Sequence, residues 1–174
     1  MTTQDGWDSI LTKGEEILWQ DRPDTSIVLR PGNIGLSIFG FFFAGFAVFW
    51  MTMAAQAGGV FWMFGLIHFS VGVGLIFGAI LWGPYKRRHT WYTLTNERAF
   101  IATDMPVIGR RLKSYPITKE TVLDMTHADL STIIFHTERR RGKNGSYTVK
   151  IGFERIADGQ NVYRMMRDIQ EGAT

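Results

Sequence analysis

The chain has 174 residues, of which 19 are basic and 16 are acidic, and it contains no cysteine. The absence of cysteine excludes a disulfide framework, thiolate chemistry and cysteine-ligated metal sites. No Asp, Glu, Lys or Arg occurs from Pro31 to Tyr85, a run of 55 residues. A chain with such a segment and an ordinary charge density elsewhere is neither a wholly soluble single domain nor a disordered protein.

The first segment, residues 1–33, is acidic. Its first thirty residues hold six acids and three bases. Asp5 or Asp8 is expected to cap a short helix over residues 7–11, because aspartate is a favoured helix-capping residue. Residues 16–20 predict a short strand that ends at an Asp-Arg-Pro-Asp turn.

Residues 34–83 predict a hairpin of two transmembrane helices. A bilayer core of about 30 Å requires about 20 helical residues, and residues 34–55 and 60–83 are each long and apolar enough. The stretch 56–59 between them is poor in helix formers and predicts a short loop. A cleaved signal peptide is a poor alternative, because the apolar run begins after thirty residues and is too long.

The orientation of the hairpin is predicted from the Lys and Arg residues that flank it. Arg22 and Arg30 precede the first span, and the connecting loop carries no basic residue. A basic cluster follows the second span and consists of Lys86, Arg87 and Arg88. We therefore expect both termini in the cytoplasm. The same cluster is a candidate contact for lipid or a partner, although orientation alone is enough to explain it.

Small residues recur at helical spacing in both spans. In the first span they form one stripe, Ser37, Gly40, Ala44 and Ala47. In the second span they form two stripes on roughly opposite faces, Ser70, Gly74 and Gly78 on one and Gly65, His68 and Gly72 on the other. Small residues let helices approach closely, so we expect the stripe that contains Gly74 to pack on the first span. The opposite face then favours further helices, from copies of the chain or from another protein. The simpler interpretation is that glycine is common in membrane helices generally.

His68 is the one strongly titratable side chain within the two spans, which makes it a candidate functional residue. The favoured role is a neutral histidine that is hydrogen-bonded to a neighbouring helix. The alternatives are a ligand to a haem or chlorin and a step in a proton path. No second histidine lies in either span, so bis-histidine ligation would require two chains. We expect no bound cofactor.

Residues 86–174 predict a cytoplasmic α+β domain. Short β-branched and aromatic runs are separated by turn residues and cover residues 90–94, 98–103, 110–117, 122–127, 131–137 and 146–154. An apolar stripe over residues 156–170 predicts a closing helix. The pattern therefore predicts an antiparallel β-roll or sandwich capped by a helix. Its 16 bases and 10 acids give it a charge opposite to that of the first segment, which favours packing between the two.

Two short phrases flank the predicted hairpin. The first is Gly-Glu-Glu-Ile-Leu-Trp at residues 14–19, and the second is Trp-Tyr-Thr-Leu-Thr-Asn-Glu-Arg at residues 91–98. With these phrases, the hairpin, and strands that end in one helix, the chain resembles the bacterial pleckstrin-homology-like membrane proteins. The resemblance implies a seven-stranded, two-sheet fold capped by a helix, with residues 16–20 as the extra strand. It also implies a bacterial inner-membrane location and a role in assembly or interaction.

The sequence favours binding over catalysis. His127 and Asp129 form one tight His/Asp pair, but they lie at a predicted turn. His89 and His136 have no partners at metal-ligand spacing, and no phosphate-binding loop of the G-x-x-x-x-G-K-[ST] type occurs. We therefore expect no catalytic residue and no metal site.

Residues 139–145 predict a strongly basic loop. Its cations are candidates for contact with an acidic protein partner or with anionic lipid headgroups; they are Arg139, Arg140, Arg141 and Lys143. A solvated hairpin tip is the plain alternative. Nucleic acid is not expected, because the loop lacks interleaved aromatic residues and the domain is tethered to a bilayer.

These features predict a non-catalytic inner-membrane protein that docks on a larger membrane complex as an accessory or assembly subunit. The helices would contribute packing surfaces, and the cytoplasmic domain would contribute the electrostatic contact. One alternative is a self-assembling homo-oligomeric scaffold whose copies pair through the same helix faces. The other is a sensor of anionic lipids.

Overall fold

The computed structural model describes residues 6–7, 9–29, 31–106, 108–126, 128–142 and 145–172. These residues form two long apolar helices, two antiparallel sheets and a C-terminal helix, so the α+β class is confirmed. The chain divides into two compact units. Residues 25–86 form one unit, and the residues up to Asp24 join those from Arg87 onward to form the other.

The two apolar helices occupy most of the unit formed by residues 25–86. Helix α1 is Pro31–Gln56, and helix α2 is Phe64–Arg88, which follows a 3-10 turn at Phe61–Met63. The predicted span 60–83 covers most of α2, and the helix continues past Pro84 to Arg88. A proline removes one backbone donor, and this helix tolerates that loss.

The connection between the helices is a turn that uses two glycines. Gly58 and Gly59 have φ angles of +81° and +79°, a region that residues with a Cβ atom rarely adopt. The amides of Ala57 and Gly58 donate to the carbonyls of Ala54 and Ala55 at 3.2 and 3.1 Å. These bonds close the end of α1, and the glycines then reverse the chain.

The helices pack through small residues, although not through the predicted pair of stripes. A Cβ at Gly72 would lie 2.8 Å from the Cβ of Ala44 and 2.9 Å from the carbonyl oxygen of Gly40. The residues buried at this seam are Gly40, Ala44 and Ala47 of α1 and Gly65, Gly72 and Ala79 of α2. A Cβ at Gly74 or Gly78 would meet no atom within 4 Å. The stripe expected to close the hairpin is therefore open.

The two small-residue faces of α2 differ in spacing. Gly65, Gly72 and Ala79 recur every seven residues, and a heptad drifts around a helix by only about 20° per repeat. Ser70, Gly74 and Gly78 recur every four residues, and at 3.6 residues per turn each such step drifts by about 40° in the other direction. The heptad spacing therefore keeps small residues against α1 over a longer distance.

Outside the seam both helices present bulky apolar side chains. Phe41 and Phe42 are 68 % and 70 % exposed. In the most apolar windows only 17 % of the α1 residues and 11 % of those in Phe61–Arg88 are buried. The core helix of a soluble protein is mostly buried instead. Both helices are long and apolar enough to cross a membrane.

In the other unit, the described residues form seven strands in two antiparallel sheets. The first sheet has the order β1-β2-β3-β4 and consists of Ile17–Asp21, Thr90–Thr95, Arg98–Met105 and Gly109–Pro116. The second has the order β5-β6-β7 and consists of Asp124–Thr126, Ser131–Gly142 and Gly145–Ile156. Helix α3, Gly159–Glu171, follows. The predicted strands and the closing helix are present, and the segment before the hairpin supplies β1.

The core of this unit lies between the sheets and α3. Leu94 of the first sheet and Ile133 and Phe153 of the second are completely buried. Val162 and Met166 of α3 are also completely buried, one turn apart on the same face of the helix. The apolar stripe predicted for the closing helix therefore seals the core.

The predicted N-terminal helix is reduced to a single turn. The amides of Ile10 and Leu11 both donate to the carbonyl of Trp7, at 2.8 and 2.9 Å. The ring of Trp7 packs edge-on against Phe100, with ring centroids 5.2 Å apart. This turn therefore helps to bury Phe100 on the outer face of the first sheet. The predicted capping residues lie outside the described residues; they are Asp5 and Asp8.

We expect Gly72→Leu to destabilise the helix pair, because the new side chain would collide with Ala44. Overpacking of this kind costs about 1–3 kcal/mol, and thermal unfolding followed by helical circular dichroism in detergent measures it. Gly74→Leu is the matched control, because that position is open. Equal losses in the two variants would contradict the seam.

Candidate interaction site and the ion pair behind it

The two sequence phrases that flank the hairpin meet in the structure. β1 pairs with β2, which places Glu15 beside Arg98. The guanidinium of Arg98 donates twice to the carboxylate of Glu15, from Nε to Oε1 at 2.9 Å and from Nη2 to Oε2 at 2.7 Å. The Glu15 side chain is 0 % exposed. A two-bond arginine–carboxylate pair adds geometric specificity to a charge-assisted interaction.

Three further donors complete the surroundings of the Glu15 carboxylate. The hydroxyl of Thr95 donates to Oε1 at 2.7 Å, and the amide and hydroxyl of Thr12 donate to Oε2 at 2.9 and 3.1 Å. The hydrogen bond from Arg98 is the largest cause that lowers the pKa of Glu15 from 4.5 to about 2; burial opposes it, and the threonine donors support it. The carboxylate is therefore charged throughout the neutral range.

Asn96 ties the same two segments together through their backbones. Its Nδ2 donates to the carbonyl of Gly14 at 3.2 Å, and its Oδ1 accepts from the amide of Glu16 at 3.0 Å. The amide of Asn96 donates in turn to the carbonyl of Glu16 at 3.1 Å. The Thr-Asn-x-Arg part of the second phrase therefore binds the Gly-Glu-Glu part of the first.

A second ion pair holds the chain where it leaves for the hairpin. Nη2 and Nε of Arg155 donate to Oδ1 of Asp24 at 2.7 and 3.2 Å, and the amide of Asp24 donates to the carbonyl of Arg155 at 2.9 Å. Nε of Arg87 donates to the carbonyl of Asp24 at 2.8 Å. The outgoing and returning chain segments are therefore bound to each other and to the end of β7.

The predicted basic cluster after the second span forms the last three residues of α2, Lys86, Arg87 and Arg88. The bond from Arg87 to Asp24 gives one of these cations a structural role. Arg22, on the outgoing segment, lies over the ring of Trp91 at 4.5 Å. Basic residues at this junction therefore help to hold the domain together as well as mark the end of the helix.

The basic segment predicted as a loop is part of two long strands. β6 and β7 continue until only residues 143–144 separate them. The predicted loop 139–145 is therefore wrong. The ladder pairs Arg139 with Thr148 and Arg141 with Ser146. These cations lie along a β-ribbon and not on a free loop.

Strand geometry divides the ribbon cations between two faces. Side chains alternate along a strand, so Arg139 and Arg141 share one face, and Arg140 lies on the other. Nε of Arg139 donates to the hydroxyl of Ser146 at 2.9 Å. Among the described residues, no acid forms an ion pair with Arg139 or Arg141. The fourth predicted contact, Lys143, lies outside the described residues.

A carboxylate lies between the ribbon and the edge strand β4. Glu138 accepts from Nη2 of Arg140 at 2.8 Å, from Nζ of Lys113 at 2.9 Å and from the hydroxyl of Tyr115 at 3.1 Å. The bond from Arg140 is the largest cause that lowers the pKa of Glu138 from 4.5 to about 2, followed by the bond from Lys113. This single carboxylate offsets part of the charge of the two cations.

The sequence analysis missed the cations of β4. Arg110, Arg111 and Lys113 are exposed on this strand, and the bond from Lys113 to Glu138 joins the strand to the ribbon. The run Gly-Arg-Arg-Leu-Lys at the start of the strand was a usable signal. The basic surface therefore extends across both sheets.

Among the described residues, the hydrogen bond of His68 stays within its own helix and does not reach α1. Its Nδ1 lies 3.4 Å from the carbonyl oxygen of Phe64 in the same helix. Its ring centroid lies 5.3 Å from that of Phe64 and 5.9 Å from that of Phe43 on α1. The described contact of His68 with α1 is therefore aromatic. Ser37 likewise bonds within its own helix, to the carbonyl of Asn33 at 2.8 Å.

The remaining histidines have separate surroundings. His136 packs on Tyr115 with ring centroids 5.0 Å apart, and the carbonyl of His89 accepts from the amide of Asp104 at 3.0 Å. His127 lies outside the described residues. Within the described part of the chain, no three metal-binding side chains lie close enough together to hold an ion.

Comparisons with protein-family models, with curated proteins and with solved structures find no match to this chain. The resemblance to bacterial pleckstrin-homology-like membrane proteins therefore stays a prediction that depends on the two phrases and on the architecture. The structure adds a physical link between those phrases, because Glu15 of the first is the buried counter-ion of Arg98 in the second.

We expect Arg98→Met to lower the free energy of unfolding by about 3–5 kcal/mol, because it leaves a buried carboxylate without its counter-ion. Denaturant unfolding followed by tryptophan fluorescence measures the loss. Arg110→Met is the matched control. Its ion pair with Asp104 has side chains that are 89 % and 44 % exposed, so the expected change is about 0–1 kcal/mol. Similar small losses in both variants would show that Glu15 does not depend on Arg98.

The stability of this unit is expected to fall as the pH drops from 4.5 towards 2. The folded pKa of Glu15 is about 2, below its ordinary value of 4.5, so the unfolded chain takes up the proton first. The contribution is complete above pH 4.5 and is lost towards pH 2. Thermal unfolding across this range should show a flatter dependence for Glu15→Gln than for the unaltered chain. Glu138 contributes equally to both proteins, so identical slopes would contradict the assignment to Glu15.

Proposed function

We propose that the chain is a non-catalytic bacterial inner-membrane protein that serves as an accessory or assembly subunit of a larger membrane complex. Helices α1 and α2 cross the bilayer as a hairpin, and the two sheets with α3 form a cytoplasmic pleckstrin-homology-like domain. The observation that carries the proposal is the second small-residue face of α2, which the hairpin leaves open at Gly74 and Gly78.

The membrane crossing is supported by the apolar surface of the helices and by the pairing of β1 with β2. The exposed phenylalanines of α1, such as Phe41 and Phe42, suit a hydrocarbon environment. Because β1 and β2 belong to one sheet, the segments before and after the hairpin lie on the same side of the bilayer. Two crossings satisfy this requirement, and the basic end of α2 favours the cytoplasmic side.

The pleckstrin-homology-like assignment is supported by the arrangement of the strands. The resemblance implies seven strands in two sheets and one closing helix. The structure has a four-stranded sheet, a three-stranded sheet and α3. The segment before the hairpin supplies the first strand, as the resemblance also implies.

Docking through the helices is supported by how α2 uses its small residues. One face is occupied, because Gly65 and Gly72 are buried against α1. Gly74 and Gly78 lie on the opposite face, where a neighbouring helix backbone has room to approach. A helix of another membrane subunit is the occupant that this face favours.

A binding role is supported by the structural use of the two carboxylates whose pKa values are lowered. The pKa values of Glu15 and Glu138 both lie well below the usual range, and in each case an arginine hydrogen bond is the main cause. Catalytic sites also shift pKa values, but these two carboxylates hold strands and segments together. The ribbon cations Arg139 and Arg141, which have no described acidic partner, supply the cytoplasmic contact.

We expect Gly74→Ile with Gly78→Ile to abolish association with the client complex, because the side chains fill the open face. A photo-crosslinker at Val71, beside that face and 49 % exposed, should join the unaltered chain to foreign membrane subunits in a fixed ratio. Purification in mild detergent with mass spectrometry identifies them. The matched control is Gly35→Ile with Gly45→Ile, at open positions of α1.

Three results separate the alternatives in this experiment. Association that persists in the Gly74→Ile, Gly78→Ile variant would contradict docking through this face. Self-crosslinks alone, with one defined oligomer size, would favour the homo-oligomeric scaffold. High salt should leave helix-mediated association nearly intact, because screening acts on exposed charges.

A further inference from the structure

The turn between β3 and β4 exposes apolar side chains. Pro106 is exposed, and Ile108 is 46 % exposed. Gly109, which begins β4, has a φ of +81°. Proline and glycine are common in tight turns, so the exposed Ile108 is the described apolar side chain that distinguishes this turn.

The position of this turn follows from the register of the first sheet. Thr90, the first residue of β2, pairs with Thr103 of β3. The amide of Asp104 then donates to the carbonyl of His89 at 3.0 Å. β3 therefore continues past the start of β2, and the turn lies beyond the residue that joins α2 to β2. The residues from Arg87 onward belong to the same unit as this sheet.

The chain segment that leads into the hairpin leaves from the same end of the sheet. Asp21, the last residue of β1, pairs with Tyr92 near the start of β2. Both connections to the hairpin and the β3–β4 turn therefore lie at the same end of the first sheet, where β1 and β3 end and β2 and β4 begin. No linker separates α2 from β2, because α2 ends at Arg88 and β2 begins at Thr90.

Cations and an apolar groove adjoin the turn. Arg110 and Arg111 are exposed at the start of β4. Arg110 pairs with Asp104 at 3.0 Å, but its side chain is 89 % exposed. A shallow groove beside the turn contains both arginines together with Trp91 and Leu112. Apolar side chains with adjacent arginines and a tryptophan are typical of protein segments that contact a membrane surface.

We propose that the β3–β4 turn is a membrane-contact site for anionic lipids. Pro106 and Ile108 enter the interfacial layer, and Arg110 and Arg111 bind lipid phosphate groups. The proposal rests on the membrane crossing of α2 proposed above. Because the turn extends past His89 within its own unit, it reaches the lipid where this junction meets the bilayer surface.

The absence of cysteine in the chain allows single-site labelling. The full chain with Ile108→Cys, labelled with an environment-sensitive fluorophore, is reconstituted in phosphatidylcholine vesicles with and without phosphatidylglycerol. Nitroxide lipids at shallow and deep positions then quench the label by distance. Val122→Cys is the matched control, because Val122 is 79 % exposed and follows the other end of β4. Phe77→Cys, on a 63 % exposed side chain of α2, reports the crossing itself.

We expect the label at Ile108 to be quenched several-fold more by the shallow nitroxide than the label at Val122. Arg110→Gln with Arg111→Gln should remove the extra quenching that phosphatidylglycerol produces. If Ile108 is quenched no more than Val122 while Phe77 is quenched by the deep nitroxide, the contact site is wrong and the crossing stands. If Phe77 is not quenched either, both proposals are wrong. If quenching at Ile108 is the same with and without phosphatidylglycerol, and the same in the arginine variant, the role of anionic lipid is wrong.

Discussion

The buried ion pair between Glu15 and Arg98 is the interaction on which the rest of the architecture depends. Its two residues are separated by 83 positions, and the whole hairpin lies between them. A buried carboxylate without its counter-ion is strongly destabilising, so the first segment fits only when the chain has returned and presents Arg98. The pair therefore requires the hairpin to bring both flanks back to one place. Hydrogen bonds from Thr95 and Asn96 then hold the returning chain against the first segment.

The sequence predicts the elements well where burial imposes a pattern. The uncharged run from Pro31 to Tyr85 predicts two helices, and β-branched runs predict the strands of the domain. The basic ribbon escapes the same reasoning. Outside the core, both faces of β6 and β7 meet solvent, so no apolar alternation marks them as strands. Consecutive arginines then resemble a loop, although backbone pairing holds Arg139 and Arg141 in a strand.

The candidate site is less predictable, because it depends on distances between elements. Two small-residue stripes are visible on α2, but the sequence does not show which one meets α1. The heptad that contains Gly72 forms the seam, and the face that contains Gly74 stays open. The partner of Glu15 is equally difficult to predict from the sequence, because residues that pair over 83 positions leave no local pattern. The sequence showed the two phrases, but the pairing of β1 with β2, which places the acid of one phrase beside the arginine of the other, is visible only in the structure.

The basic residues of this chain divide into roles that net charge does not reveal. Arg98 binds a carboxylate with no exposed surface, so its charge is balanced within the fold and attracts an outside partner less. Arg140 and Lys113 share Glu138, which reduces the field they present to a partner. Arg139 and Arg141 lack such a carboxylate among the described residues, and they lie on the opposite face of the ribbon. Attraction to an anionic surface therefore depends on cations that have no acidic partner among the described residues, or that pair only at an exposed surface, as Arg110 does with Asp104. The positions of these cations, rather than the total charge, determine where a partner or a lipid can bind.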